Sequence, residues 1–168
     1  MTEDFGEIYE KYYARIFNFV YYRLLNRENT EDVVSNVFFN AMKGIHYFDG
    51  KRASVSTWLF RIADNAVNDY FRKSPRTVPF DVAEIPVTED CDVIRSDDLQ
   101  WLHECLKTFD GRTRSVLALR YWGDFSYTEI ASQTGLTEKN VSVILVRAKK
   151  TIKDFFEAKE SRPKHAFL

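Results

Sequence analysis

Apolar positions recur every three to four residues through most of the chain, a period that predicts helices rather than strands. Over residues 5–25 the stripe is Phe5, Ile8, Tyr9, Tyr12, Ile16, Phe19 and Val20. A polar break follows at 26–29. Thr30, with Glu31 and Asp32 behind it, predicts the cap of a second helix whose inner face is Val34, Val37, Phe38, Ala41 and Ile45. That helix is expected to end near 46–50, where Asp49-Gly50 is a turn pair. A third helix is predicted over 54–73, with Val55, Trp58, Leu59, Ile62, Ala63, Ala66 and Tyr70 turned inward.

The period then breaks. Pro75, Pro79 and Pro86 disfavour helix. It resumes with Leu99, Leu102, Leu106 and Phe109, and again with Val116, Leu117 and Leu119. The sharpest local pattern spans 126–150. Ser126 precedes Glu129 at the spacing of a capping box, flanked by Phe125 and Ile130 as a hydrophobic staple. Gly135 stands where a first helix must stop, because glycine enters the left-handed region without steric cost. Thr137 is placed to cap a second helix. On that helix Val141, Ile144, Leu145, Ala148 and Ile152 form one stripe, while Lys139, Asn140, Ser142, Val143, Val146, Arg147 and Lys150 are left outside. The expected architecture is all-α, in two small helical domains. Residues 1–73 form the first, 74–97 an acidic linker, 98–160 the second with its helix-turn-helix, and 161–168 a flexible tail.

Charge separates these parts. The whole chain has a formal net charge of −1, but residues 74–111 carry −6 and residues 112–168 carry +5. A basic second helix after a glycine turn has the outline of a DNA-reading helix-turn-helix, whose second helix enters the major groove. An αα-hairpin in a helical core shares that outline. The third helix adds a second polar stripe of Arg61, Asn65, Asn68 and Arg72, preceded by Lys51 and Arg52 in a loop. Asparagine and arginine donate to bases and phosphates, although such a stripe taken alone is more often a plain solvated face.

Other chemistry finds little support. His46, His103 and His165 are scattered, and no glycine-rich phosphate loop or metal-ligand spacing occurs, so neither catalytic residues nor a metal or cofactor is expected. Cys91 and Cys105 read as free thiols. No apolar run approaches the ~20 residues that span a bilayer, and the first residues are acidic where a signal peptide is basic. A cytoplasmic location is therefore expected.

Two blocks of the sequence resemble the conserved domains of bacterial RNA-polymerase sigma factors of the extracytoplasmic-function (ECF) class. The first runs from Glu31-Asp32-Val33-Val34 through Phe48-Asp49 to Trp58-Leu59-Phe60-Arg61-Ile62-Ala63, Asn65, Asp69-Tyr70 and Arg72. The second is Arg114-Ser115-Val116-Leu117-Ala118-Leu119-Arg120-Tyr121, then Ser126-Tyr127-Thr128-Glu129-Ile130-Ala131, Gly135 and Arg147-Ala148. The resemblance implies a non-catalytic subunit that binds core RNA polymerase, directs it to promoter DNA and helps melt the downstream element. It implies a polymerase contact at Asp32, Val33 and Asn36. It assigns the downstream promoter element to Lys51, Arg52, Arg61, Asn65, Asn68 and Arg72, with Tyr47 or Phe48 as a stacking surface. It assigns the upstream element to Lys139, Asn140, Ser142, Arg147 and Lys150. It also implies an anti-sigma factor as a partner. The competing reading, an ordinary helix-turn-helix repressor or activator, requires a sensing or dimerising domain in 1–73 and tight operator binding without polymerase.

Overall fold

A computed structural model describes residues 4–74 and 96–161. Those residues form seven α-helices and no strand. The first three are α1 (Phe5–Leu24), α2 (Arg27–Gly44) and α3 (Val55–Lys73), with a short 3-10 turn at Ile45–Tyr47 between the last two. The other four are α4 (Ser96–Lys107), α5 (Gly111–Tyr121), α6 (Tyr127–Thr134) and α7 (Glu138–Glu160). Helices α1, α2 and α3 pack on one another; α5, α6 and α7 do likewise, with α4 against α7. Nearly all of the expected linker and tail lies outside the described residues.

Local chemistry explains most helix ends. Ser54, Asp110, Ser126 and Thr137 each accept a hydrogen bond from the amide three residues on, capping α3, α5, α6 and α7. Helix α2 departs from the expectation. It starts one turn earlier, capped by Asn26, whose side chain accepts from the Asn29 amide at 2.9 Å. Thr30 is instead inside the helix and buried, its hydroxyl donating back to the Asn26 carbonyl at 2.7 Å. The tight α1–α2 joint puts Leu25 in the left-handed region at φ 53°, with its side chain buried.

The inner faces largely follow the hydrophobic pattern, with one physical difference. From Ile16 to Arg23 every residue of α1 is buried. A helix touching one layer buries a stripe; α1 packs on α2 and α3 and also on α5 of the second bundle, so no side is left for water. Tyr22 stacks on Trp122 with ring centroids 4.6 Å apart, and Arg15 donates to the Trp122 carbonyl at 2.9 Å. The Tyr21 hydroxyl lies 3.3 Å from Nδ1 of His103 on α4. Burial lowers the His103 pKa, and nearby Lys107 pushes it the same way. Helix α7 runs to Glu160, and Phe155 near its end packs edge-on to Trp101 at 5.2 Å.

Candidate nucleic-acid interface

The helix-turn-helix is built as its spacing requires. Ser126 Oγ accepts from the Glu129 amide at 3.2 Å, and the Glu129 carboxylate accepts from the Ser126 amide at 2.9 Å, completing the capping box. Phe125 and Ile130 are both buried. Gly135 adopts φ 69° and its amide bonds the Ala131 carbonyl. Thr128 Oγ1 donates to Glu138 at 3.0 Å, tying the start of α6 to the start of α7. Ser126→Ala is expected to cost about 1 kcal/mol, read as a lower urea midpoint for the second bundle. No loss would mean that water replaces the cap.

On α7, Val141, Leu145 and Ala148 are buried, and Ile144 and Ile152 are partly so. Lys139, Asn140, Arg147 and Lys150 are exposed, and Ser142 is half-buried beside them. Among the described residues, the Lys139, Arg147 and Lys150 side chains have no ion-pair partner.

The first bundle presents a second polar surface. Lys51, Arg52, Arg61, Asn65, Asn68 and Arg72 are all exposed, but they are not equivalent. Arg52 lies 3.4 Å from Asp49, and Arg72 lies 2.7 Å from Asp69. The Asn68 amide is committed inward: its oxygen accepts from Arg23 Nη2 at 2.9 Å, and its nitrogen donates to Asp64 at 3.2 Å. Arg23 and Asp64 form a close, buried ion pair beneath it. Burial lowers the Arg23 pKa, opposed by the Asp64 charge. Sequence periodicity gave no sign of this triad, because its members lie on two helices far apart in the chain.

Tyr47 and Phe48 also divide. Tyr47 is 90% exposed, whereas Phe48 packs on Trp58 at 5.0 Å. Tyr47 is thus the solvent-exposed ring of the two, and Trp58 is half-buried against the core. On α2, Asp32 and Asn36 face outward, with Phe39 and Met42 exposed further along the helix. Val33 departs from the expected polymerase contact. It is buried in the core of the first bundle, so its side chain is not available to a partner.

The α3 face also borders helix α6 of the second bundle. Arg61 Nη2 lies 3.7 Å from Glu129 Oε1. A polar cavity of about 580 Å³ opens between α3 and α6, walled by Arg61, Asn65 and Asn68 on one side and Thr128, Glu129 and Gln133 on the other. Glu129 therefore serves two sites, capping α6 and holding Arg61. Among the described residues, no group of three or more histidine, cysteine or acidic side chains is arranged to hold a metal ion. Cys105 is buried and free, its pKa raised by that burial. No described helix is long and apolar enough to cross a membrane.

These features define a class: a two-part, all-helical protein with a helix-turn-helix in one part and an arginine–asparagine face on the other. Residues 8–77 match Sigma-70 region 2, and residues 99–152 match Sigma-70 region 4. The chain belongs to the sigma-70 family, in its ECF class, and is a transcription initiation factor rather than an enzyme. The RNA polymerase sigma factor YlaC of Bacillus subtilis is 29% identical over 164 residues, covering 90% of this chain and 91% of that protein. The ECF sigma factor SigX of the same organism is 25% identical over 167 residues, covering 94% of this chain and 86% of its own length. The fold is shared with the sigma factor RpoE of Bartonella quintana, solved with the anti-sigma factor NepR. That match has a TM-score of 0.73 at 20% identity and covers 92% of this chain and 97% of the other.

Proposed function

We propose that each bundle reads one promoter element while α2 holds the polymerase. Asp32 and Asn36, with exposed Phe39 and Met42 further along α2, make the contact to core RNA polymerase. Lys51, Arg52, Arg61, Asn65 and Arg72 engage the downstream element, and Tyr47 supplies a face on which an unstacked base can lie. Asn68 acts there by holding the shape of the face, since its amide is already bonded to Arg23 and Asp64. Lys139, Asn140, Ser142, Arg147 and Lys150 on α7 read the upstream element as duplex. The chain acts in the cytoplasm, where polymerase and promoter are. An anti-sigma factor is a further partner, as NepR is for the Bartonella protein.

The observation that carries this reading is the outward cationic face of α7 on a fully capped helix-turn-helix, paired with a second arginine–asparagine face on α3. The packed arrangement adds a condition. Helix α6 stands beside the α3 face with Glu129 against Arg61, so parting of the two bundles frees Arg61 for the downstream element.

Run-off transcription with core polymerase, followed by sequencing of the start sites, tests the reading. The expected result is a defined promoter set that appears only when this chain is added. Tight binding of a palindromic operator without polymerase, and no co-elution with it, would overturn the reading. Within that assay, Arg147→Ala is expected to weaken upstream-element binding and reduce the slope of log affinity against log salt by about one. An unchanged slope would remove Arg147 from the phosphate contacts.

A further inference from the structure

The outward face of α7 contains something a phosphate-binding surface does not need. Val146 is 65% exposed and Val143 is 37% exposed. At about 100° per residue, Lys139, Val143, Val146 and Lys150 fall within one arc of about 60°, with Arg147 at its margin. The core positions Val141, Leu145, Ala148 and Ile152 fall on an arc roughly opposite. The two valines lie at the edges of that arc and, along the axis, between Lys139 and Lys150, so the middle turns of the outward face are apolar and its two ends cationic. Helix formation does not explain them, because β-branched side chains are weaker helix formers than the lysine, glutamate or alanine common on solvated faces.

We propose that Val143 and Val146 are specificity-determining residues that read thymine in the upstream element through its C5-methyl group. This rests on the reading of α7 as the duplex-binding helix and assigns side chains that the polar contacts leave out. A partner for this face must be apolar at its centre and anionic at its rim. A second copy of the same face is excluded by charge, because lysine would meet lysine. Duplex DNA has the required layout. Phosphates line the groove walls, and the thymine methyl is the hydrocarbon group exposed on a major-groove base edge. Valine has no donor or acceptor, so what it discriminates is the presence of that methyl. Thymine is favoured, cytosine and uracil are not, and 5-methylcytosine recovers the apolar part of the contact. Lys139, Arg147 and Lys150 set the helix in the groove by phosphate contact, and the valines choose among sequences at the floor.

The test uses the full chain bound to core polymerase. A duplex library randomised across the upstream window is selected for binding, and each thymine of the winning sequence is then replaced singly by deoxyuridine. The expected result is one or two thymines whose replacement weakens wild-type binding about fourfold each, the value of burying one methyl-sized group. Val143→Ser and Val146→Ser lie at exposed helix positions that serine tolerates, so both variants keep their melting temperature. Each should bind the thymine duplex about fourfold more weakly and should no longer distinguish thymine from deoxyuridine at its own position. Three results overturn the proposal. If wild type shows sequence-specific, salt-dependent upstream binding but tolerates deoxyuridine everywhere, the helix-turn-helix reading stands and the methyl contact falls. If methyl sensitivity persists in both serine variants, another side chain reads the thymine. If no upstream sequence preference emerges at all, the reading of α7 beneath the proposal falls with it.

Discussion

Asp64→Ala is expected to destabilise the first bundle by about 3–5 kcal/mol, because it strands a buried cation. The Arg23 and Asp64 side chains are 4% and 8% exposed. With Asp64 gone, Arg23 keeps its bond to Asn68 and its place over the Phe19 ring at 5.6 Å, but nothing beside it offsets the charge. The loss is read as a lower urea midpoint, or as faster hydrogen exchange in α1 and α3. Asp64→Asn keeps the shape and part of the hydrogen bonding, so its loss should be smaller. The double variant Arg23→Met with Asp64→Leu should recover most of the stability, since paired removal leaves no buried charge. That variant is the informative one. It retains the fold but releases the Asn68 amide, so it separates the triad's service to the α3 face from its service to stability. A loss below about 1 kcal/mol for Asp64→Ala would mean that Arg23 reaches water through a second pocket, which it lines with Arg112, Ser115 and Gln133, and the triad would then be a surface feature.

The triad also marks where sequence reading stops. Helix ends written in three or four consecutive positions were legible. The Ser126–Glu129 capping box, the Gly135 stop and the Thr137 cap all form as their spacing predicts. Even local signals compete, however. Thr30 with Glu31-Asp32 presents as good a cap as Asn26 does, and the true start of α2 is decided by the tight α1–α2 joint at Leu25, a tertiary feature. Exposure was legible wherever a helix keeps one side free of neighbours, which is why the outward residues of α7 were found. It was not legible for Arg23, which has the composition of a surface residue and lies in the core. Nor was it legible for Val33, which shares a helix turn with exposed Asp32. The dual use of Glu129 was hidden for the same reason. Its capping role is local, whereas its contact with Arg61 depends on how two bundles meet.

Trp122→Ala is expected to shift the chain from the packed arrangement toward an open one and to raise its affinity for the downstream element. The surface contact between Arg61 and Glu129 is too exposed to hold the bundles together, since ion pairs of this kind contribute about 0–1 kcal/mol. The aromatic joint is the stronger bond. Trp122 stacks on buried Tyr22, its carbonyl receives Arg15, and the Arg15 guanidinium lies over the Phe60 ring at 5.3 Å. Truncating a half-buried tryptophan of this kind is expected to cost about 2–3 kcal/mol, which lowers the closed-to-open ratio about 30- to 150-fold. Small-angle scattering should report a larger radius of gyration, and a single-stranded downstream probe should bind more tightly, because Glu129 no longer lies against Arg61. Trp122 also lines an apolar groove with Leu102, Leu106 and Leu117, so hydrogen exchange in α7 is needed to show that the second bundle stays folded. Arg15→Ala gives an independent check. It leaves every side chain of the second bundle in place and should move both readouts in the same direction, by less. Substituting Glu129 would not serve, because it removes the α6 cap together with the contact to Arg61. If both variants open the chain without any gain in downstream binding, then Glu129 does not hold Arg61 back from the downstream element, and polymerase need not part the bundles to use that face.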